Sequence, residues 1–412
     1  MAAWPGEEIE ERAAEIAAHA YVLLRQPSGW RHRRVETITV LSHEQVRRHV
    51  SVDFTVPEDV RDGLRVSAHE HAVPLAFLTK RPLVHFDLRN EETHAIPLLT
   101  AEQNRMIGRE LLYQVLTGDL AAQDADDGAV TLAAGSLVEA VLGEDERRLE
   151  DRIAQLEAKY ELEPLSDFRA MAVVLSRYFI VWAVVRGVER RRIFKFAYDE
   201  RYSQLPAFRY FYEAQGCTEA WSYHVEVAVP QDLRARTTSL GDDARDVVLA
   251  SGERNSDRPA LYYSADPAEE FERPGLFVHY GAERWRFLAP GAIVAAVIAL
   301  LVAPPLLFAD LHRLAGSAGP AIGLVLSTSA VFSVLVLRTD EHPLLRVMLL
   351  PYRLCLVACT LAALFAAAAL GFQAAPWVID VTWTVAAIVS VAAAGILSIA
   401  TVRAPSVRSG PA

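Results

Sequence analysis

Histidines near the start of the chain offer the first candidate chemistry, which is metal binding. His69 and His71 flank Glu70, and His85 and His94 lie on two segments that a predicted hairpin would bring together. Three or four converging imidazole nitrogens can bind zinc, so these four histidines are weak candidate ligands. Their spacing is not diagnostic of a zinc site, and polar positions on a loop and a solvent-facing strand are the simpler explanation. We therefore expect no metal and no other cofactor.

Two histidine–carboxylate pairs could supply acid–base chemistry. His85 and Asp87, like His224 and Glu226, are two residues apart in segments with strand periodicity, which places each pair on one face of a strand. A carboxylate can orient a histidine as a general base, although the solvated face of a sheet carries the same residue types. The sequence contains no G-x-S-x-G nucleophile motif and no glycine-rich nucleotide-binding motif. A hydrolase or metalloenzyme that uses these pairs therefore ranks last, and we expect a non-enzymatic protein.

A dense aromatic stretch between Tyr178 and Tyr223 is the leading candidate for a binding surface. Aromatic rings beside arginine favour recognition through stacking and cation–π contact. Burial in a core explains most of these rings, but Phe208–Tyr212 follows Pro206 without a clean period, so we expect some of them to be exposed. The candidate binding residues are Phe208, Arg209, Tyr210, Phe211, Tyr212 and Trp221.

Hydrophobic periodicity indicates the elements that position these residues. It predicts an N-terminal amphipathic helix in 1–29, a first β region in 30–100, a helical insertion in 101–170 and a second, aromatic-rich β region in 171–286. Thr100 and Gln103 predict a capped helix start, and Val173–Val185 fits either a strand or a buried helix. Short strands on both sides of a helical stretch favour one β-sandwich built from both halves, with two separate β domains as the alternative.

Four apolar runs in the last third of the chain predict transmembrane helices. They cover about 287–308, 320–337, 354–372 and 377–402, and a tail of 403–412 follows. Each run approaches the ~20 apolar residues that cross a bilayer as a helix. The fold class that we expect is an α+β multidomain membrane protein, with a β-sandwich-like domain that carries a helical insertion and precedes a bundle of four transmembrane helices.

Arginine sets the expected orientation of this bundle. The positive-inside bias places the arginine-rich side in the cytoplasm, and with it both termini and the whole segment 1–286. Only Arg313 falls on the opposite side. The acidic start of the chain does not resemble a signal peptide, and three cysteines suit a reducing cytosol. The arginines on the cytoplasmic side are Arg284, Arg286, Arg338, Arg346, Arg353, Arg403 and Arg408.

Composition limits the classes of partner. A net charge of −11 argues against broad nucleic-acid binding, so the expected partners are the lipid bilayer and a protein, or a second copy of the chain. Abundant alanine and a near absence of lysine indicate a bacterial source, hence a multi-pass protein of the inner membrane. The function that we expect is a membrane-anchored module that binds or senses a partner or ligand at the inner face. The alternative is a membrane effector whose cytoplasmic sensor triggers oligomerisation and pore formation or membrane disruption.

Overall fold

The computed structural model describes residues 6–80, 84–123, 135, 137–139, 141, 146–205, 208–242, 247–264, 274–283, 287–303, 324, 328, 341–372 and 374–404. Within these ranges the chain is α+β, with three β-sheets followed by two long apolar helices. The coarse fold class predicted from the sequence is therefore confirmed.

The helix Ala101–Ala121 starts at the signal that the sequence predicts. The predicted capping box at Thr100 is present, since the Gln103 N–H donates to Thr100 Oγ1 at 3.2 Å and the Thr100 N–H donates to Gln103 Oε1 at 2.9 Å. One-turn 3₁₀ helices occur at Asp62–Leu64 and Gln215–Cys217. The α-helices are α1 Gly6–Arg25, α2 Pro27–Trp30, α3 Glu58–Arg61, α4 Ala101–Ala121, α5 Glu146–Lys159, α6 Ser166–Arg177, α7 Ala289–Val302, α8 Pro343–Gly371 and α9 Pro376–Arg403.

A six-stranded sheet draws strands from both predicted β regions. Its strands are β1 Arg31–Val40, β2 Gln45–Phe54, β5 Val84–Arg89, β7 Arg192–Arg201, β10 Ser222–Ala228 and β13 Ala260–Ser264. They lie in the order β13-β10-β1-β2-β7-β5, and the neighbouring strands β10 and β1 are parallel. The two regions thus share one sheet, which separate β domains would not do.

Two smaller sheets complete the head, which is the part of the chain before α7. The three-stranded sheet has the order β3-β4-β6, and the five-stranded sheet has the order β12-β11-β14-β9-β8. The stretch Val173–Val185, predicted to be a strand or a buried helix, contains part of each. Helix α6 ends at Arg177, and β6 pairs with β4 from Tyr178 onward. The strands of these sheets are β3 Arg65–Ser67, β4 Glu70–Thr79, β6 Tyr178–Val185, β8 Ser203–Leu205, β9 Arg209–Glu213, β11 Leu233–Asp242, β12 Val247–Ser251 and β14 Pro274–Ala282.

One face of the six-stranded sheet contacts two apolar cores. Near Val50, Val52 and Phe54 on β2, this face packs in a core with α1, α4, α5, α6 and the three-stranded sheet. Near Ile38 and Val40 at the end of β1, it packs in a second core with the five-stranded sheet and α7 to α9. Charged side chains occupy the same face between these cores.

The two C-terminal helices α8 and α9 are long and apolar enough to cross a membrane. Helix α8 begins at Pro343, well before the predicted start at 354, because proline suits the first helical turn and the His342 Nδ1 atom accepts the Leu344 N–H at 3.2 Å. Arg353 therefore lies on the helix, where it pairs with Glu341. Helix α7 covers 14 residues of the first predicted span. Apart from Leu324 and Thr328, the second predicted span lies outside the described residues.

Candidate functional site

Six charged residues, of which five are buried and Glu200 is partly exposed, form a cluster between the two cores. This buried charge cluster consists of Arg31, Arg34, Glu36, Arg48, Glu200 and Glu219. Strand periodicity positions Arg34 and Glu36 on the inner face of β1, opposite the inner residues of β2. No sequence motif marked these residues, because their positions in a strand pattern read as ordinary polar alternation.

The carboxylates of the cluster each hold one or two arginines. Glu219 Oε2 accepts from Arg31 at 3.1 Å and from Arg34 at 2.6 Å. Glu36 accepts from Arg34 Nε at 2.7 Å and from Arg48 at 3.1 Å, and Arg48 Nε also bonds Glu200. The cluster is therefore a continuous chain of charge-assisted hydrogen bonds across the inner face of the sheet.

Burial and charge act against each other in this cluster. Burial disfavours the charged form of Glu36, but the charges of Arg34 and Arg48 outweigh it and lower the pKa of the Glu36 carboxyl. Burial lowers the pKa of Arg31 to about 10, against the opposing effect of Glu219. Burial also raises the pKa of the Glu200 carboxyl. The cluster thus favours the charged form of Glu36 and disfavours that of Glu200.

The cluster ties distant segments together and leaves little room for a ligand. Arg31 donates to the Pro74 carbonyl at 2.7 Å, and Arg48 donates to the Glu213 carbonyl at 2.6 Å. The adjoining cavity, lined in part by Arg34, Arg48 and Glu200, has a volume of about 30 Å³. That is enough for about one or two water molecules. The chemistry that this geometry supports is cross-linking of the fold, with no space for a substrate.

Gly216 allows the Arg34 guanidinium to lie against the chain, and we predict that Gly216→Ala destabilises the protein. An added Cβ would lie 2.1 Å from Arg34 Nε and 2.2 Å from Arg34 Cζ. Glu36 and Glu219 hold this guanidinium, so moving it aside breaks their bonds. We expect a loss of about 1–3 kcal/mol in the free energy of unfolding, measured by urea denaturation in detergent.

Gly118 is the matched control for this change. It lies inside α4, and an added Cβ would meet no atom within 4 Å. Gly118→Ala should therefore stabilise the protein by about 0.5–1 kcal/mol. Equal stability of the Gly216→Ala protein and the wild type would show that the arginine is not held in place.

The four candidate metal ligands do not converge. His69 is exposed and His71 is largely buried, and burial lowers the pKa of His71. His85 contacts Asp199, whereas His94 contacts Glu92. Among the residues that the structure describes, no group of three or more histidine, cysteine or carboxylate side chains could hold a metal ion.

In the structure, the carboxylates of both predicted histidine–carboxylate pairs bind arginines. His85 Nδ1 lies 2.7 Å from Asp199 Oδ2, while the predicted partner Asp87 bonds Arg89 at 2.7 Å. The pairing of β5 with β7 shifts register between Val84 and Asp87, and His85 has φ 54°, so the regular period-two alternation is interrupted there. Glu226 likewise pairs with Arg258. Arg47 donates to the Asp199 carboxylate through two nitrogens. These hydrogen bonds and the one from His85 lower the pKa of the Asp199 carboxyl, although its partial burial acts in the opposite direction.

The aromatic candidates divide between core and surface. Tyr210, Phe211 and Tyr212 are buried on β9, where the hydroxyls of Tyr212 and Tyr280 lie 2.8 Å apart. Phe208 is half-buried, and Arg209 is exposed with its guanidinium 5.7 Å from the Phe277 ring centroid. Trp221 is exposed and precedes β10. Within Phe208–Tyr212, where some exposure was expected, Arg209 is exposed, Phe208 is half-buried and the three central aromatics are buried.

The outer side of the six-stranded sheet is exposed to solvent. Arg33, Val35, Thr37 and Thr39 point outward from β1, and the residues paired with them on β2, β7, β10 and β13 share this side. We call this surface the open face. Sequence reasoning found the period-two strands but could not tell which strands become neighbours, so it missed the open face.

No protein-family model matches the sequence, and a search of curated proteins finds no match.

Proposed function

We propose that this protein is a membrane-anchored, non-enzymatic binding module of the bacterial inner membrane, with its head in the cytoplasm. The observation that carries the proposal is the surface of the C-terminal helices. Between residues 354 and 371 of α8 and between residues 381 and 402 of α9, the large outward side chains are apolar, as in Phe365, exposed by 66 %, and Ile388, exposed by 63 %. Such faces are costly in water and suit a lipid environment.

The contact between the head and the helices supports an anchoring role. His342, which precedes α8, places its Nε2 atom 3.1 Å from the carbonyl oxygen of Val40 at the end of β1. The Arg353 guanidinium lies 5.5 Å from the Phe287 ring centroid, and Arg353 also pairs with Glu341. A head held in this way is positioned against the bilayer instead of hanging from a flexible linker.

The finer architecture belongs to the same proposal. Four spans at about 287–308, 320–337, 354–372 and 377–402 agree with the apolar runs of the sequence, and arginine distribution supports cytoplasmic termini. A sandwich of the six- and five-stranded sheets is supported by their common core, in which Ile38 and Val225 join Tyr210 and Val278.

The interior of the described helices favours an anchor over a pore-forming effector. Buried alanines such as Ala363 and Ala386 allow α8 and α9 to pack closely. Cys359 Sγ lies 3.3 Å from Ser390 Oγ, and Trp383 Nε1 donates to the Val302 carbonyl at 2.8 Å, so polar atoms bond between helices. These contacts suit a closed bundle that fixes the head in place.

Membrane insertion is tested with Ile388→Arg. An arginine near the centre of α9 should cost about 2.5–3.5 kcal/mol of insertion free energy, so a clear fraction of the variant should leave the membrane pellet on alkaline extraction. Trp221→Arg in the head is the control and should stay with the membrane like the wild type. Recovery of the wild-type protein in the soluble fraction without detergent would refute the proposal.

Orientation is tested with a single exposed cysteine. In Trp221→Cys, a membrane-impermeant maleimide should label the protein in inverted vesicles but not in intact cells, because the head lies in the cytoplasm. The unsubstituted protein reports background, since Cys217 and Cys359 are buried and the half-buried Cys355 lies on the apolar helix α8. Labelling in intact cells would place the head outside and overturn this part of the proposal.

A further inference from the structure

We propose that the open face of the six-stranded sheet docks an acidic segment of a partner protein. The inference rests on the proposed binding role of the head, and it names the chemistry of the partner. It is carried by the charge of the face, by its shape and by two exposed aromatic side chains.

The carboxylates of the open face are already matched by arginines. Asp53 pairs with Arg191, and Glu226 pairs with Arg258. Arg47 donates two hydrogen bonds to Asp199, and its Nε atom lies 2.6 Å from the Asp199 carboxylate. These acids therefore add little net negative charge to the surface.

Three cations on the same face remain unmatched. Arg33 on β1 and Lys195 and Arg201 on β7 are exposed, and none of them has an acidic partner within the described ranges. This local excess of positive charge stands out because the chain as a whole carries −11. A surface of this kind attracts an acidic segment through charge complementarity.

The shape of the face suits a protein segment. Six strands spaced ~4.8 Å apart and up to ten residues long give a surface of roughly 600 Å². That approaches the ~800 Å² that one partner contributes to a standard interface. Tyr262 on β13 is paired with His224 and exposed by 61 %, and the exposed Trp221 lies beside the same edge. Such aromatics are typical anchors for a partner side chain.

Two other anionic partners fit less well. A nucleic-acid backbone carries a charge every ~1.7 Å of duplex axis and would also meet the carboxylates of Asp53, Asp199 and Glu226. An anionic bilayer is disfavoured by placement, because the end of β1 contacts His342 before α8 and the open face does not make that contact. A protein segment can space its acids to meet Arg33, Lys195 and Arg201 and avoid the paired carboxylates.

The test uses full-length protein in nanodiscs of zwitterionic lipid and fluorescent poly-L-glutamate, with binding followed by anisotropy at about 50 mM salt, where screening is weak. The triple variant Arg33→Gln, Lys195→Gln, Arg201→Gln should bind roughly tenfold more weakly, the combined effect of three exposed charge contacts. The control Arg25→Gln, Lys159→Gln, Arg254→Gln removes the same charge from exposed positions elsewhere and should stay within about twofold of the wild type.

Each other outcome overturns the inference. No binding of poly-L-glutamate by the wild type would refute the inference directly. An equal loss in both triple variants would leave only non-specific attraction. Tighter binding of a single-stranded DNA of matched charge, lost in the first variant, would assign the face to nucleic acid. If extraction shows a membrane protein while poly-L-glutamate fails to bind, this inference falls and the proposed anchoring stands.

Discussion

Glu36→Gln is expected to lower the free energy of unfolding by about 3–5 kcal/mol, because it removes one charge from a buried and paired network. Glu36 is fully buried and accepts hydrogen bonds from Arg34 and Arg48. The neutral amide keeps the size of the side chain but leaves positive charge uncompensated in the core. Thermal unfolding of the full-length protein in detergent should show a fall in melting temperature on the order of 10 °C.

A surface pair provides the control. Glu15 and Arg12 form an exposed ion pair on α1, so Glu15→Gln should change the free energy of unfolding by less than about 1 kcal/mol. A small effect of Glu36→Gln would mean that water reaches the buried charge cluster and solvates the arginines.

Acid should reduce the difference between the wild type and Glu36→Gln. The pKa of Glu36 is lower in the folded protein than in the unfolded chain, so its contribution is complete above the unfolded pKa of about 4.3. The contribution is lost as the pH falls from there through the folded pKa. Melting curves of the two proteins should therefore converge below about pH 4, and parallel curves would exclude this role for Glu36.

Phe211→Ala is expected to destabilise the head by about 3–5 kcal/mol, because the ring is buried and its removal leaves a cavity. Its centroid lies 5.2 Å from that of Phe277, and an added Cβ at Gly275 would lie 1.9 Å from Phe211 Cε2. The ring thus fills the space that Gly275 leaves open. Urea unfolding of the variant should show a markedly lower midpoint, and Tyr212→Ala should act in the same direction.

Trp221→Ala separates binding from folding within the same aromatic stretch. Trp221 is exposed by 58 %, so its removal should change stability by less than about 0.5 kcal/mol. A loss of partner capture with intact folding would assign Trp221 to a recognition surface. Wild-type stability of Phe211→Ala would instead contradict its place in the core.

Patterns among residues that are close together in the chain could be predicted from the sequence. The capping box at Thr100 and the apolar run that forms α9 depend on residues close in the chain, and both agree with the structure. Period two revealed strands such as β2 and β10 for the same reason. Short-range signals of this kind do not depend on the rest of the fold.

Pairings between segments far apart in the chain could not be predicted from the sequence. Glu219 meets Arg31 only because β1 lies beside β10, and Asp199 replaces Asp87 beside His85 only because β5 pairs with β7. Phe211 and Trp221 belong to one aromatic stretch, yet one is core and the other surface. Burial at such positions depends on how the whole chain packs, and the type of a single residue does not reveal this.

The parallel pairing of β1 and β10 has a consequence for biosynthesis. Ser222 bonds the His32 carbonyl although the two residues are 190 positions apart. A ribosome that adds about 5–20 residues per second needs roughly 10–40 s to deliver the second strand. During that interval β1 lacks its neighbouring strand β10. The apolar helix that begins at Ala289 is synthesised soon after β10. Under the proposed membrane anchoring, completion of the sheet and targeting of the helices would therefore fall within a short common window.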